Sequence, residues 1–453
     1  MAKKPTRWSI AGWQVPDDAA IAAILAQRID VEKQGVGIVV GVIDDTGRRI
    51  ISHGARAADD DGPLDGETVF EIGSISKVFT SLALADMVRK GELALDDPVA
   101  KYLPAGVTMP ERGGRKITFT DLATHTSGLP RMPDNFAPAD PANPYADYDE
   151  KRLHDFISGH TLTRDIGETY EYSNVGAGLL GHVLSLAAGR DFESLIRERI
   201  TGPLGMNSTA LALTPSMRDR LAPGHNGQME PVANWDLGVL AGAGGLRSTV
   251  DDLLTFLAAE LGFMDTGLSA AMAAQIVPRR PAGAQGMEVA LGWHVSTRKH
   301  GQAIWHNGGT AGYRTFMAYE PTARRGVVVL TNASTDRGGD DIGFHLLLGA
   351  PLAPPPKQRT AISLEPEVLE TYVGCYELPG GRTLTVTRED ARLFGEAQDR
   401  HEMFPETPTD FFWKVVNAQL TFRLSRTGRV TGAILHQAGR DIPLKRLKDA
   451  VRR

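Results

Sequence analysis

Glu71-Ile72-Gly73-Ser74-Ile75-Ser76-Lys77-Val78-Phe79-Thr80 is the stretch from which the rest of the chain can be read. Gly73 reads as the last residue of a loop. Residues 76–89 read as a helix, apolar apart from its ends and Thr80, Ser81 and Asp86, with Gly91 where a helix C′ glycine belongs. A helix apolar on nearly all sides is a buried one. Ser74 then falls at its N-terminus, where free backbone N–H groups and the helix dipole favour negative charge. Lys77, three residues on, is about one turn away on the same face. A serine hydroxyl is a weak nucleophile until a neighbouring base takes its proton, and lysine is such a base only when burial or nearby cations keep it neutral. Two readings fit: a nucleophile with its base, or an N-cap serine beside a lysine that extends to solvent. The same pattern recurs at Ser296-Thr297-Arg298-Lys299, at the end of a strand-like run in what reads as an exposed hairpin turn. There no helix turns the lysine towards the serine.

Composition narrows the possibilities. With 453 residues the chain exceeds one ordinary core, so two or three domains are expected. Its 42% hydrophobic and 23% charged residues are those of a globular protein, and a net charge of −6 gives no footprint for nucleic acid. The single cysteine, Cys375, excludes an intrachain disulfide and a cysteine-based zinc site. No metal or cofactor is expected. No apolar run reaches membrane-spanning length. The first residues are basic, but no apolar signal core follows before Gln14. The expected location is therefore cytoplasmic, or periplasmic or secreted with a signal already removed.

Outward from the helix, residues 17–34 read as an amphipathic helix. Residues 36–43 read as a buried strand, Asp44-Asp45-Thr46-Gly47 as its hairpin turn and residues 48–54 as the return strand. Residues 118–126 look helical, and residues 131–150, rich in Pro, Asp, Asn and Ala, form a long surface loop. Helical patterns dominate residues 149–274. Strands return at residues 290–296, 303–306, 315–319 and 326–331, before a closing helix at 340–348. One antiparallel sheet is thus expected from both ends of the segment, flanked by helices and with an inserted helical lobe. Ala350-Pro351-Leu352-Ala353-Pro354-Pro355-Pro356-Lys357 is a stiff linker. Beyond it, about eight short strands separated by turn signals such as Pro379-Gly380-Gly381 indicate a small antiparallel β-barrel. The expected class is α+β, with residues 1–350 as one domain, 351–357 as the linker and 358–453 as the barrel.

Three further segments carry chemistry. Tyr172-Ser173-Asn174 is the one Tyr-x-Asn in the chain. A phenol beside a lysine ammonium has its pKa lowered, so Tyr172 is a candidate to share the Ser74 proton and pass it to a leaving group. Gly176-Ala177-Gly178-Leu179-Leu180-Gly181 fits a dinucleotide fingerprint, but no βαβ unit surrounds it, so its glycines read as helix-packing positions. His306-Asn307-Gly308-Gly309 ends a strand. Its glycines allow close approach of a substrate backbone, and the Gly309 N–H is placed to pair with that of Ser74 as an oxyanion hole.

In this order, Ser74-Ile75-Ser76-Lys77, Tyr172-Ser173-Asn174 and His306-Asn307-Gly308 resemble the three active-site motifs of class C β-lactamases and the related penicillin-binding-protein-like esterases and D-peptidases. His125-Thr126-Ser127-Gly128-Leu129-Pro130 and Gly244-Gly245-Leu246-Arg247-Ser248-Thr249 match further segments typical of that family, and the likeness covers about residues 18–350. The barrel resembles the lipocalin-like domains attached to such hydrolases. The resemblance implies a β-lactamase/transpeptidase-like fold, with Ser74 as acylated nucleophile, Lys77 as base and Tyr172 as proton shuttle. Asn174 would bind the substrate amide, with His306, Gly308 and Gly309 as further substrate contacts. Whether Lys77 or Tyr172 is the acylation base stays open.

Two positions depart from the β-lactamase pattern: His306 stands for a lysine, and Met132 for a glutamine. A histidine is mostly uncharged at neutral pH, where a lysine is a permanent cation. The expected function is hydrolysis of small esters or amides, above β-lactamase activity at pH 7–8. Carboxylated substrates would gain near pH 6 as His306 charges. The alternatives are a β-lactamase or D-aminopeptidase/DD-peptidase and, more remotely, a non-catalytic binding homologue. The expected partner is a small ester, amide or β-lactam-like substrate, with no nucleic acid and no membrane span.

Overall fold

The computed structural model describes residues 13–447 apart from 58–59, 61, 299–300, 336, 356–358, 379–382, 398–399, 415–417 and 438–439. Lys299, the Pro379-Gly380-Gly381 turn, Pro356 and Lys357 of the linker, and the basic N-terminal stretch lie outside the described residues.

The chain divides into two compact units, Met1–Pro354 and Pro355–Arg453. The first is built on an antiparallel sheet of eight strands: β1 (Gly37–Asp44), β2 (Gly47–Gly54), β3 (Arg280–Pro281), β4 (Met287–Val289), β5 (His294–Arg298), β6 (Gly301–Gly309), β7 (Arg314–Glu320) and β8 (Arg325–Thr331). Their order is β2-β1-β8-β7-β6-β5-β4-β3, so the N-terminal hairpin pairs with the last strand, Ile38 opposite Thr331. The side-chain period of two divides the strands between two cores. Val39, Ile43, Val328 and Leu330 pack with the Ser76–Arg89 and Val250–Glu260 helices. Ile38, Val40, Val327 and Val329 face the other way, towards the Asp18–Ala26 and Asp340–Leu348 helices. Strands buried on both faces read as unbroken apolar runs, which is why β1 and β8 stand out in the sequence.

The first helix, Asp18–Ala26, is shorter than the expected 17–34 and runs into a π-turn at Gln27–Val31. Likewise Phe119–Ala123 is a single capped turn, its Thr118 and Asp121 forming a reciprocal capping box. The edge strand β3 and its neighbour β4 escaped the sequence reading because two or three residues carry no visible alternation. Between the sheet halves lie the helices Glu150–Gly159, Asn174–Ala188 and Val250–Glu260, with short strand pairs that the all-helical expectation lacked. One such pair joins Phe70–Glu71 to Arg247–Ser248. The Asn174–Ala188 helix packs its glycines as expected, for a side chain on Gly181 would come within 2.9 Å of the Gly242 Cα.

The second unit is a closed barrel of eight antiparallel strands in sequential order, from Gly374–Glu377 to Arg440–Arg446. Tyr376, Phe411, Leu420 and Ala433 fill its interior. No helix among the described residues is long and apolar enough to cross a membrane.

Candidate active site

The Ser76–Arg89 helix is buried from Ser76 to Met87. Ser74 sits just before it in a 3₁₀ turn, Gly73–Ile75, and is not an N-cap. Three contacts fix the turn. The Thr315 hydroxyl donates to the Ile72 carbonyl (2.9 Å), the Ile72 N–H donates to the Leu246 carbonyl (3.0 Å), and the Ser76 hydroxyl accepts from the Leu246 N–H (3.0 Å). Gly73 has φ +51°, and a side chain on it would come within 2.7 Å of the Gly309 nitrogen. The Ser74 turn and the end of β6 are therefore in backbone contact.

Lys77 does not reach solvent. It is 2% exposed, and its Nζ lies 3.0 Å from Ser74 Oγ, 3.0 Å from Asn174 Oδ1 and 2.6 Å from the Ala243 carbonyl. Burial, and next the Arg131 guanidinium, push its pKa well below the usual lysine value. Tyr172 is displaced in the direction opposite to the sequence expectation. Burial holds its phenol well above the ordinary tyrosine range, and a hydrogen bond with Ser74 offsets this only in part. The expected cationic neighbour is itself held towards neutrality, so desolvation decides.

Asn174 opens its helix. The Ser173 side chain caps it by accepting from the Gly176 N–H (2.9 Å) while donating to the Pro130 carbonyl (2.6 Å). The Asn174 N–H donates to the Arg131 carbonyl (2.9 Å). His125 adopts φ +55°, unusual for a non-glycine residue, and accepts the Ser173 N–H at Nδ1 (3.1 Å). The Gly-Leu-Pro segment and the Tyr-x-Asn segment thereby lock together.

The structure corrects the reading of His306 and Gly308. His306 is 1% exposed, and its Nδ1 donates to the Asn307 carbonyl (2.6 Å). It packs at a 39° tilt against His294, ring centroids 4.9 Å apart, and its pKa is pushed well below 6.5 by burial first and then by His294 and Lys77. It therefore does not charge near pH 6. Gly308 abuts the Ile72 carbonyl so closely that no side chain fits, which makes it a packing glycine. Gly309 does line the pocket. The Thr310 N–H bonds the Tyr313 carbonyl, so by antiparallel alternation the Gly309–Arg314 pair is a non-hydrogen-bonded one. The Gly309 N–H thus points away from β7, to the side where β5 has ended at the His294–Trp305 pair.

The pocket holds about 180 Å³ and is bounded by Ser74, Asn174, Gly309, Thr310 and a rim of which the sequence reading had singled out only Met132. Arg131 is an exposed cation 5.3 Å from the Tyr172 ring centre, and no carboxylate lines the pocket beside it. Tyr145 and Trp235 meet with ring centres 5.2 Å apart at a tilt of 55°, and the Met132 sulfur approaches the Tyr145 hydroxyl and the Asn174 amide at 3.8 Å. Trp235 is pinned through its backbone: its N–H donates to Glu71 (2.9 Å), and its carbonyl accepts from Arg247 (2.9 Å). Arg131 directly follows the Gly-Leu-Pro segment, which was the one available signal. Ser296 is buried in β5, where it accepts from the Trp305 indole N–H (2.8 Å).

A pocket-lining serine backed by a buried lysine, in a cleft between a sheet and a helical lobe, defines a serine-hydrolase scaffold. The Beta-lactamase family profile matches residues 18–350, and the chain is a hydrolase that belongs to this family. A Domain of unknown function (DUF3471) matches residues 358–446. The chain is similar to Penicillin-binding protein 4* of Bacillus subtilis, 28% identical over 414 residues, covering 85% of this chain and 89% of that protein. The D-alanyl-D-alanine-carboxypeptidase/endopeptidase AmpH of Escherichia coli is 30% identical over 322 residues, 68% of this chain and 82% of that one. Among solved structures, the Beta-lactamase/D-alanine Carboxypeptidase of Yersinia pestis shares 27% identity over 70% of this chain and 93% of its own, with a TM-score of 0.62.

Proposed function

We propose that the chain cleaves small esters or amides through an acyl-enzyme on Ser74. The observation that carries this reading is a desolvated Lys77, with its pKa pushed down, 3.0 Å from the Ser74 hydroxyl. Neutral Lys77 accepts the hydroxyl proton as Ser74 Oγ attacks the substrate carbonyl. The N–H groups of Ser74 and Gly309 receive the developing oxyanion. Tyr172, kept as a phenol by burial, gives its proton to the leaving group and recovers one from the Lys77 ammonium. Water then releases the acyl group. This order makes Lys77 the acylation base, with Asn174 orienting both Lys77 and the substrate amide.

A D-peptidase reading is favoured by Arg131. The permanent cation missing from the His306 motif is replaced by one on the rim, and an arginine fork suits a carboxylate. Intact-protein mass spectrometry with a phosphonate or a slow substrate should find one adduct, on Ser74, absent from Ser74→Ala. An active enzyme that gives no adduct would sink the acyl-enzyme. A panel of chromogenic esters, D-aminoacyl anilides and cephalosporins separates the substrate readings. The barrel, residues 358–453, is proposed as a separately folding domain without a catalytic group. A chain ended at Ala353 should stay folded and still be labelled at Ser74.

A further inference from the structure

Away from the pocket, Glu150 and His154 lie one turn apart on the Glu150–Gly159 helix, and His182 faces them from the Asn174–Ala188 helix. His154 Nε2 is 3.0 Å from His182 Nε2, with ring centres 5.1 Å apart and ring planes at 55°. The Glu150 carboxylate is 3.8 Å from His154 Nδ1, and one donor atom from each of the three residues lies within 4.8 Å of the others. Two neutral imidazoles meeting nitrogen to nitrogen form a single hydrogen bond, and only when one ring presents N–H and the other a lone pair. A cation between them uses both lone pairs. Tetrahedral zinc, with Zn–N of about 2.0–2.1 Å, sets its nitrogens roughly 3.3 Å apart, so the rings need open by only a few tenths of an ångström.

The chemistry of the donors agrees. His182 is half-buried at the helix–helix contact, with its Nε2 turned to that of His154. The exposed Glu150 side chain is free to swing in as a third ligand, or to hold the His154 Nδ1 proton as an outer carboxylate. His182 and Glu150 border an open groove of about 680 Å³, which supplies an entry path. The same groove is lined by Gly238 and Gly242, on the segment whose Leu240 and Ala243 wall the pocket.

We infer that Glu150, His154 and His182 form a site for a first-row transition ion of zinc type, which staples the Glu150–Gly159 helix to the helix that starts at Asn174. Nitrogen and single-carboxylate donors select such an ion over magnesium or calcium, which take oxygen ligands. Residues 131–149, which carry Arg131, Met132 and Tyr145, lead directly into the stapled helix, so the ion would brace the pocket rim. Sequence reading missed the site because its ligands come from two helices without a motif spacing.

The full-length chain without a histidine tag, stripped by chelator, should bind one Zn²⁺ in calorimetry with a Kd of about 10 µM or tighter, short of four-ligand structural sites. Saturating Zn²⁺ should raise Tm by about 3 °C or more, and Mg²⁺ should not. Co²⁺ should give the visible absorption of tetrahedral nitrogen and oxygen coordination. His154→Ala and His182→Ala should each weaken binding about 100-fold or more and abolish the Co²⁺ spectrum, with Glu150→Gln costing about tenfold. If His182→Ala fails to fold, His154→Ala carries the test alone. Absence of saturable Zn²⁺ binding in the wild type overturns the inference. So does undiminished affinity in the folded histidine variants.

Discussion

The floor and the rim of the pocket are made differently. The floor, Lys77, Tyr172 and the histidines 125, 294 and 306, is almost dry, and burial is the first cause of every pKa displacement there. The rim, Arg131, Met132, Tyr145 and Trp235, is partly or fully exposed and contributes one formal charge. Desolvation makes a base of a lysine on the floor. On the rim water still reaches Arg131, whose guanidinium faces what enters.

The largest expected effect breaks the floor. Lys77→Ala should lower kcat by about 10³-fold or more, and Tyr172→Phe should add little on top of it if the two move protons as one unit. Steady-state kinetics of the single and double variants check this. Fully additive losses would separate the two roles.

The dryness of the floor is open to a thermodynamic test. The three histidines titrate near 6.5 when unfolded and lower when folded, His294 at about 4. Their pKa values are depressed in the folded state, so the associated stability is complete above pH 6.5 and is lost as the pH falls towards the folded values. Each should remove up to about 1.4 kcal/mol per pH unit below 6.5. Urea midpoints at pH 7, 6 and 5 read the slope, and a flat profile would show that water reaches the floor.

A smaller effect sharpens the rim. Arg131→Ala should reduce kcat/KM for substrates with a free carboxylate by about tenfold relative to neutral esters, because a charge-assisted contact is worth about 1–2 kcal/mol more than a neutral one. Equal losses on both substrate types would make Arg131 a tuner of Lys77 instead. The smallest effect is expected outside both regions. Ser296→Ala should leave kcat within about twofold, since its hydroxyl serves Trp305 in the middle of a strand.

Ser74, Lys77 and Gly309 were legible because helical and strand periods place them from short motifs: one turn joins Ser74 to Lys77, and the end of β6 supplies Gly309; His294 on the floor left no such signal. The direction of the Tyr172 shift and the concealment of His306 were not legible. Both depend on how much water the assembled lobes exclude, which no local pattern encodes. The rim was hidden for another reason. Tyr145 and Trp235 lie on irregular segments with no period to read, and Trp235 is held by Glu71 and Arg247 from a strand pair too short to leave a signature; Met132 showed only through the family pattern.

The pairing of β1 with β8 has a consequence for synthesis on the ribosome. Ile38 must wait for Thr331, about three hundred residues downstream. At about 5–20 residues per second the first hairpin stands with an open apolar edge for roughly 15–60 s. During that interval β1 is a strand without its neighbour, able to pair with other nascent chains. Translation speed through the helical lobe therefore sets how long the edge of β1 stays unpaired.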